Sequence, residues 1–150
     1  MRLAIGSDHA GFEMKEKLIP WLRSPEGGNH KIVDLGPASP DRCDYPDFAA
    51  KVGRAVAQKR AAKGILLCGT GIGMAIAANK IRGIRAGVVW NDKSAGLAAE
   101  HNEVNVVCLP ARMIGIKKAQ SMLHVFLNTR FGGGRHARRI KKITQLDQCA

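Results

Sequence analysis

Five short apolar runs, separated by amphipathic stretches, limit what this chain of 150 residues can become. They fall at Leu3–Ile5, Lys31–Gly36, Gly64–Cys68, Ile84–Val89 and Asn105–Leu109. Within each run the apolar residues are consecutive rather than alternating, the pattern of a strand buried on both faces. Between the runs, apolar side chains recur at helical spacing. The first set is Met14, Leu18, Trp21 and Leu22, and the next is Phe48, Val52, Ala55 and Val56. An alanine-rich segment at 75–80, the pair Leu97 and Ala98, and the set Ile116, Ala119, Leu123 and Phe126 continue the alternation. Beyond Gly132-Gly133-Gly134, Ile140, Ile143 and Leu146 mark a last, basic helix over about 134–147.

Strand and helix in strict alternation predict an α/β fold. We expect a three-layer α/β/α sandwich with a five-stranded parallel sheet, Rossmann-like, in a single domain over 1–150. In such folds ligands bind beyond the carboxyl ends of the strands. The residues there are Ser7-Asp8-His9, the segment leading to Asp44-Tyr45, Cys68-Gly69-Thr70, and Asn91-Asp92.

The four cysteines are widely spaced, with neither a zinc pattern nor the density of a disulfide scaffold, which implies a reducing, cytoplasmic setting. No apolar run approaches a membrane span, and the first residues are too short an apolar stretch for a secretion signal. No histidine pair has metal-ligand spacing, so no metal is expected. Net charge is +12, and from Ala111 onward there are nine Lys or Arg and one acidic residue. A basic face of this kind suits nucleic acid, a small anionic substrate, or plain solvation. The absence of aromatic interleaving and of a known module argues against nucleic acid.

The most distinctive stretch is Cys68-Gly69-Thr70-Gly71-Ile72-Gly73-Met74. A strand that ends in a thiol and enters a glycine-rich turn before a helix directs backbone N–H groups and the positive helix end at one point. A thiolate there is a candidate base or nucleophile, whereas Cys43, Cys108 and Cys149 lack such surroundings. The glycines resemble a dinucleotide fingerprint, but its third glycine would fall at Met74, which argues against a nicotinamide or flavin. His9, His101 and His136 each adjoin polar groups at loop positions, unlike His30 and His124. Arg135 and Arg139 are one helical turn apart, and their guanidinium forks suit a phosphate, with Arg112 a third candidate.

Together these residues resemble the ribose-5-phosphate isomerase B family, which includes allose- and galactose-6-phosphate isomerases. The motifs are Gly6-Ser7-Asp8-His9-Ala10-Gly11-Phe12, Asp44-Tyr45-Pro46, Cys68 to Gly73, Ala77-Ala78-Asn79-Lys80, Gly83-Ile84-Arg85-Ala86, His101-Asn102, and Gly133-Gly134-Arg135-His136 with Arg139. The resemblance implies reversible conversion of ribose 5-phosphate to ribulose 5-phosphate without a cofactor. It also implies a homodimer or dimer of dimers whose sites draw on both chains, with the last helix packing on or reaching toward the partner. One branch of the family has a glutamate base at the position of Met74, so this chain resembles the thiol branch. Carried over, Cys68 would be the general base, with enediolate donors from Gly69, Gly71 and Gly73. Thr70 would position substrate or shuttle a proton. His101 would open the sugar ring with help from Asp8, and Asn102 would hold the reacting oxygens. His9, Arg112, Arg135 and Arg139 would take the phosphate, with His136 nearby and Tyr45 lining the site. The alternatives are a hexose-6-phosphate isomerase and a non-enzymatic anion or nucleic-acid binder.

Overall fold

The computed structural model describes residues 1–147, so Cys149 lies outside the described residues. The elements run β1 (Arg2–Ser7), α1 (Phe12–Arg23), β2 (Lys31–Asp34), α2 (Tyr45–Ala57), β3 (Lys63–Cys68), α3 (Ile72–Ala78), β4 (Ala86–Val88), α4 (Asp92–Glu100), β5 (Val106–Pro110), α5 (Ile116–Asn128) and α6 (Gly134–Leu146). All five strands pair in parallel, in the order β2-β1-β3-β5-β4.

Successive residues of a strand face opposite sides, and each side has its own core. Leu3 and Ile5 of β1, Ile65 and Leu67 of β3, and Val107 and Leu109 of β5 pack with α1, α4 and α5. Ala4, Leu66, Cys68, Val106 and Cys108 pack with α2 and α3 on the other side. Met74 is fully buried in that second layer, filling space where a dinucleotide fold needs a glycine.

The expectation of strands buried on both faces holds for β1, β3 and β5 but not for the edges. β2 and β4 are only partly buried, and β4 is three residues long where the sequence suggested six. Edge strands have one sheet neighbour, so burial is incomplete there. The outward backbone of β4 is taken up locally. The Asn79 side chain donates to the Ala86 carbonyl at 2.9 Å and accepts from the Ala86 N–H at 2.8 Å.

Helix ends follow the expected chemistry. Asn91 caps α4 by accepting from the Ser94 N–H at 2.7 Å, and the Ser94 hydroxyl receives the Asn91 N–H in return. Asp92 joins α4 to α5 through Ser121 and Lys118, so Asn91 and Asp92 are used structurally rather than at the ligand rim. Lys15 is wholly buried on α1 and donates to Glu16 at 2.7 Å and to Asp34 at 2.8 Å, locking α1 to the end of β2.

Candidate functional site

The chain leaves β1 for β2 on one side of the sheet and returns to place β3 on the other. In sheets of this kind ligands bind where the winding reverses, outside the carboxyl ends of the two strands, here β1 and β3. Asp8 and His9 follow β1, and Cys68 ends β3. Asp8 is buried, and its Oδ1 accepts the N–H groups of Ala10 and Gly11 at 2.9 and 3.1 Å. Its first task is therefore to hold the β1–α1 loop, with Oδ2 left for anything further.

Cys68 is 5 % exposed, and its Sγ accepts the Gly71 N–H at 3.1 Å. Gly71 sits at φ +76, a conformation that favours glycine, and a Cβ there would meet Val88 at 3.2 Å. The Ile72 N–H donates to the Thr70 hydroxyl at 3.2 Å. Two loop N–H groups are thus spent on the sulfur and on Thr70, and Gly71 serves the thiol rather than an external anion. Tyr45 opens α2 with its ring over Gly73, where a Cβ would come within 2.8 Å of it. Arg112 donates its N–H to the Gly69 carbonyl at 3.1 Å and lays its side chain along Gly69.

Of the other thiols, Cys108 is fully buried, and burial first, then its neighbour Cys68, pushes its pKa far above the ordinary range. Burial also raises Cys43. Both are held as neutral thiols.

The second group of expected residues is elsewhere. α4 starts at the carboxyl edge of the sheet and returns to the amino edge, where His101 ends it. The six residues of β3 place about 20 Å between the two edges. α6 stays at the amino edge. Its entry is fixed by the Gly132 N–H on the Glu100 carbonyl at 2.9 Å, and its end by the Gly83 N–H on Asp147 at 3.0 Å. His136, buried on α6, stacks on His101 with 4.1 Å between ring centroids and 13° between planes. Burial first, then His101, Arg135 and Arg139, hold the His136 pKa below the usual histidine range, with Glu100 opposing. Arg135 and Arg139 are exposed on α6, and Asn102 is exposed beside His101.

The chain therefore gathers Asp8, His9, Tyr45, Cys68 to Gly73 and Arg112 at one edge. It gathers His101, Asn102, Arg135, His136 and Arg139 at the other. Between them, along the open side of β4, runs an apolar groove of about 440 Å³ whose lining includes Trp90, Leu97, Asn102 and Ile143. Trp90 is 63 % exposed.

A family model described as Ribose/Galactose Isomerase matches residues 3–143. The chain belongs to the ribose/galactose isomerase family. It is 40 % identical over 147 residues to ribose-5-phosphate isomerase B of Escherichia coli K12, covering 98 % of this chain and 97 % of that one. Ribose-5-phosphate isomerase B of Clostridium thermocellum superposes with a TM-score of 0.96 at 38 % identity, covering 99 % of both chains. The Mycoplasma genitalium structure with bound ribulose-5-phosphate gives a TM-score of 0.94 at 38 % identity, covering 99 % of this chain and 97 % of that one.

Two neighbours of these residues lie outside the family's motifs. Glu100 lies 4.0 Å from His101 Nε2. A cavity of about 380 Å³ beside His9 is lined by Arg42, Cys43 and Asp44. Arg42 lies in an irregular stretch between Pro40 and Pro46, so no periodicity pointed to it. Among the described residues no helix is long and apolar enough to cross a membrane.

Proposed function

We propose that this chain is an aldose–ketose isomerase that interconverts D-ribose 5-phosphate and D-ribulose 5-phosphate, with each site assembled from two copies. The observation that carries the reading is near full-length similarity to proteins named ribose-5-phosphate isomerase B, one of them solved with ribulose-5-phosphate. Substrate and product are isomers, so the reaction needs a proton relay and no electron acceptor.

In this reading Cys68 removes the proton from C2 of the open-chain sugar and returns it to C1 through an enediolate. The Gly71 N–H holds Sγ in place at the end of β3. N–H groups of the Gly69–Gly73 loop not already used by Cys68 and Thr70 stabilise the enediolate oxygen. Thr70 moves the proton between the two sugar oxygens. His9 and Arg112 hold the phosphate from one chain, and Arg135 and Arg139 hold it from the partner copy. His101 of that copy opens the ring, with Asn102 on the sugar oxygens. His136 supports His101 through the stack rather than by binding phosphate. The two-edge arrangement of these side chains supports a dimer, as does the apolar groove beside β4 with Trp90 and Ile143 exposed. The free Cys43, Cys68 and Cys108 support a reducing compartment, and we place the enzyme in the cytoplasm, in sugar-phosphate metabolism.

Purified protein should convert ribose 5-phosphate without added metal or nucleotide; no turnover would sink the proposal. Because the family also covers galactose isomerases, kcat/KM on ribose 5-phosphate should be compared with that on allose and galactose 6-phosphates. A preference for a hexose would move the assignment within the family.

A further inference from the structure

We propose that Arg42 is a further binding residue for the phosphate of the substrate, an inference that depends on the isomerase reading above. Arg42, Cys43 and Asp44 share with His9 a cavity of about 380 Å³, enough for a phosphorylated pentose. His9 follows β1 at the carboxyl edge of the sheet, the edge where β3 ends in Cys68. One ring nitrogen of His9, Nδ1, is buried there without a hydrogen-bond partner.

Two carboxylates adjacent in sequence to His9 or Arg42 are already engaged. Asp8 commits Oδ1 to the Ala10 and Gly11 N–H groups. Asp41, adjacent to Arg42 in sequence, is engaged by the Ser39 hydroxyl at 2.8 Å. Arg42 itself has no ion-pair partner among the described residues. Burial keeps Cys43 neutral, and the nearby Asp8, Asp44 and Asp47 act in the same direction.

A phosphate brought to His9 alone would face carboxylates at close range. An arginine fork beside it supplies both the compensating charge and two parallel donors, the geometry that phosphate oxygens accept. His9 and Arg42 then grip the phosphate from one side and leave the rest of the sugar to extend toward Cys68.

Arg42→Ala should raise KM for ribose 5-phosphate about tenfold and weaken competitive inhibition by inorganic phosphate to the same extent, with kcat little changed. Arg42→Lys should recover part of the loss, because it restores the charge but not the fork. Arg23→Ala, which removes an equal charge on the far end of α1, controls for the overall field. KM and phosphate inhibition unchanged in Arg42→Ala would overturn the inference. If the unaltered protein shows no isomerase activity, the functional reading falls first. Phosphate titration followed by ³¹P NMR then still tests Arg42: weaker binding in the variant upholds it, and equal binding overturns it.

Discussion

The imidazole of His101 lies flat against that of His136, 4.1 Å away and 13° from parallel. Two imidazolium ions cannot share this geometry cheaply, and the lowered pKa of His136 reflects its burial and then this neighbour. The sign of the effect on stability follows from proton counting. With a folded-state pKa below the unfolded value of about 6.5, the unfolded chain binds the proton first as pH falls. Stability is therefore full above about pH 6.5 and declines as the pH drops through the window beneath it. Thermal melts from pH 8 to pH 5 should show Tm falling in acid, and His136→Phe, which keeps a ring in the stack, should flatten that slope. An unchanged slope would mean the titration lies elsewhere, with His30, also shifted down by burial, the next residue to replace.

Cys68→Ala should lose at least about a thousandfold in turnover, the scale seen when a nucleophile or base is removed, while the fold survives. The side chain is small and its neighbours Leu66, Met74 and Cys108 remain in place, so urea unfolding should change little. Substrate binding, followed by ³¹P NMR, should persist. Near-normal turnover would remove Cys68 from the mechanism.

Because Cys68 and His101 sit at opposite edges of one sheet, variants at the two positions should complement each other. Cys68→Ala and His101→Asn should each be nearly inactive alone. With each site shared by two copies as proposed, co-refolding in equal amounts makes half the pairs mixed, each carrying one intact site of two, so about a quarter of normal activity should return. Absence of any recovery would show that a single copy completes its own site.

Lys15 offers a test of stability without catalysis. Its ammonium is buried, but its partners Glu16 and Asp34 keep access to water. Removing the cation therefore strands no buried carboxylate, and most of the cost comes from the stem. Lys15→Ala should destabilise by about 3 kcal/mol and Lys15→Met by about 1 kcal/mol, measured by urea unfolding. Equal losses would show that the charge, not the packing, dominates.

What the sequence disclosed and what it withheld divide along physical lines. Local chemistry was legible: consecutive apolar residues made β1, β3 and β5, and Asn91 capped α4. Strand order was not legible, because it is set by contacts between residues far apart in the chain. The parallel alternation alone puts His101, at the end of α4, at the amino edge, but nothing in the sequence placed α6 beside it. The loss of burial along β2 and β4 has the same origin, since a strand's own residues do not say whether it will be an edge. Arg42 was missed for a different reason. It belongs to an irregular loop, and its relation to His9 exists only once β1 and β2 are paired.

The amide of Asn79 closes on both outward-facing backbone groups of Ala86. That side chain occupies the place a sixth strand would take. The free margin of the sheet therefore cannot template the backbone of another molecule there, in contrast to edges that seed fibres. Copies meeting on this side must recognise each other by side-chain shape, which allows a closed pair and denies an open-ended ladder.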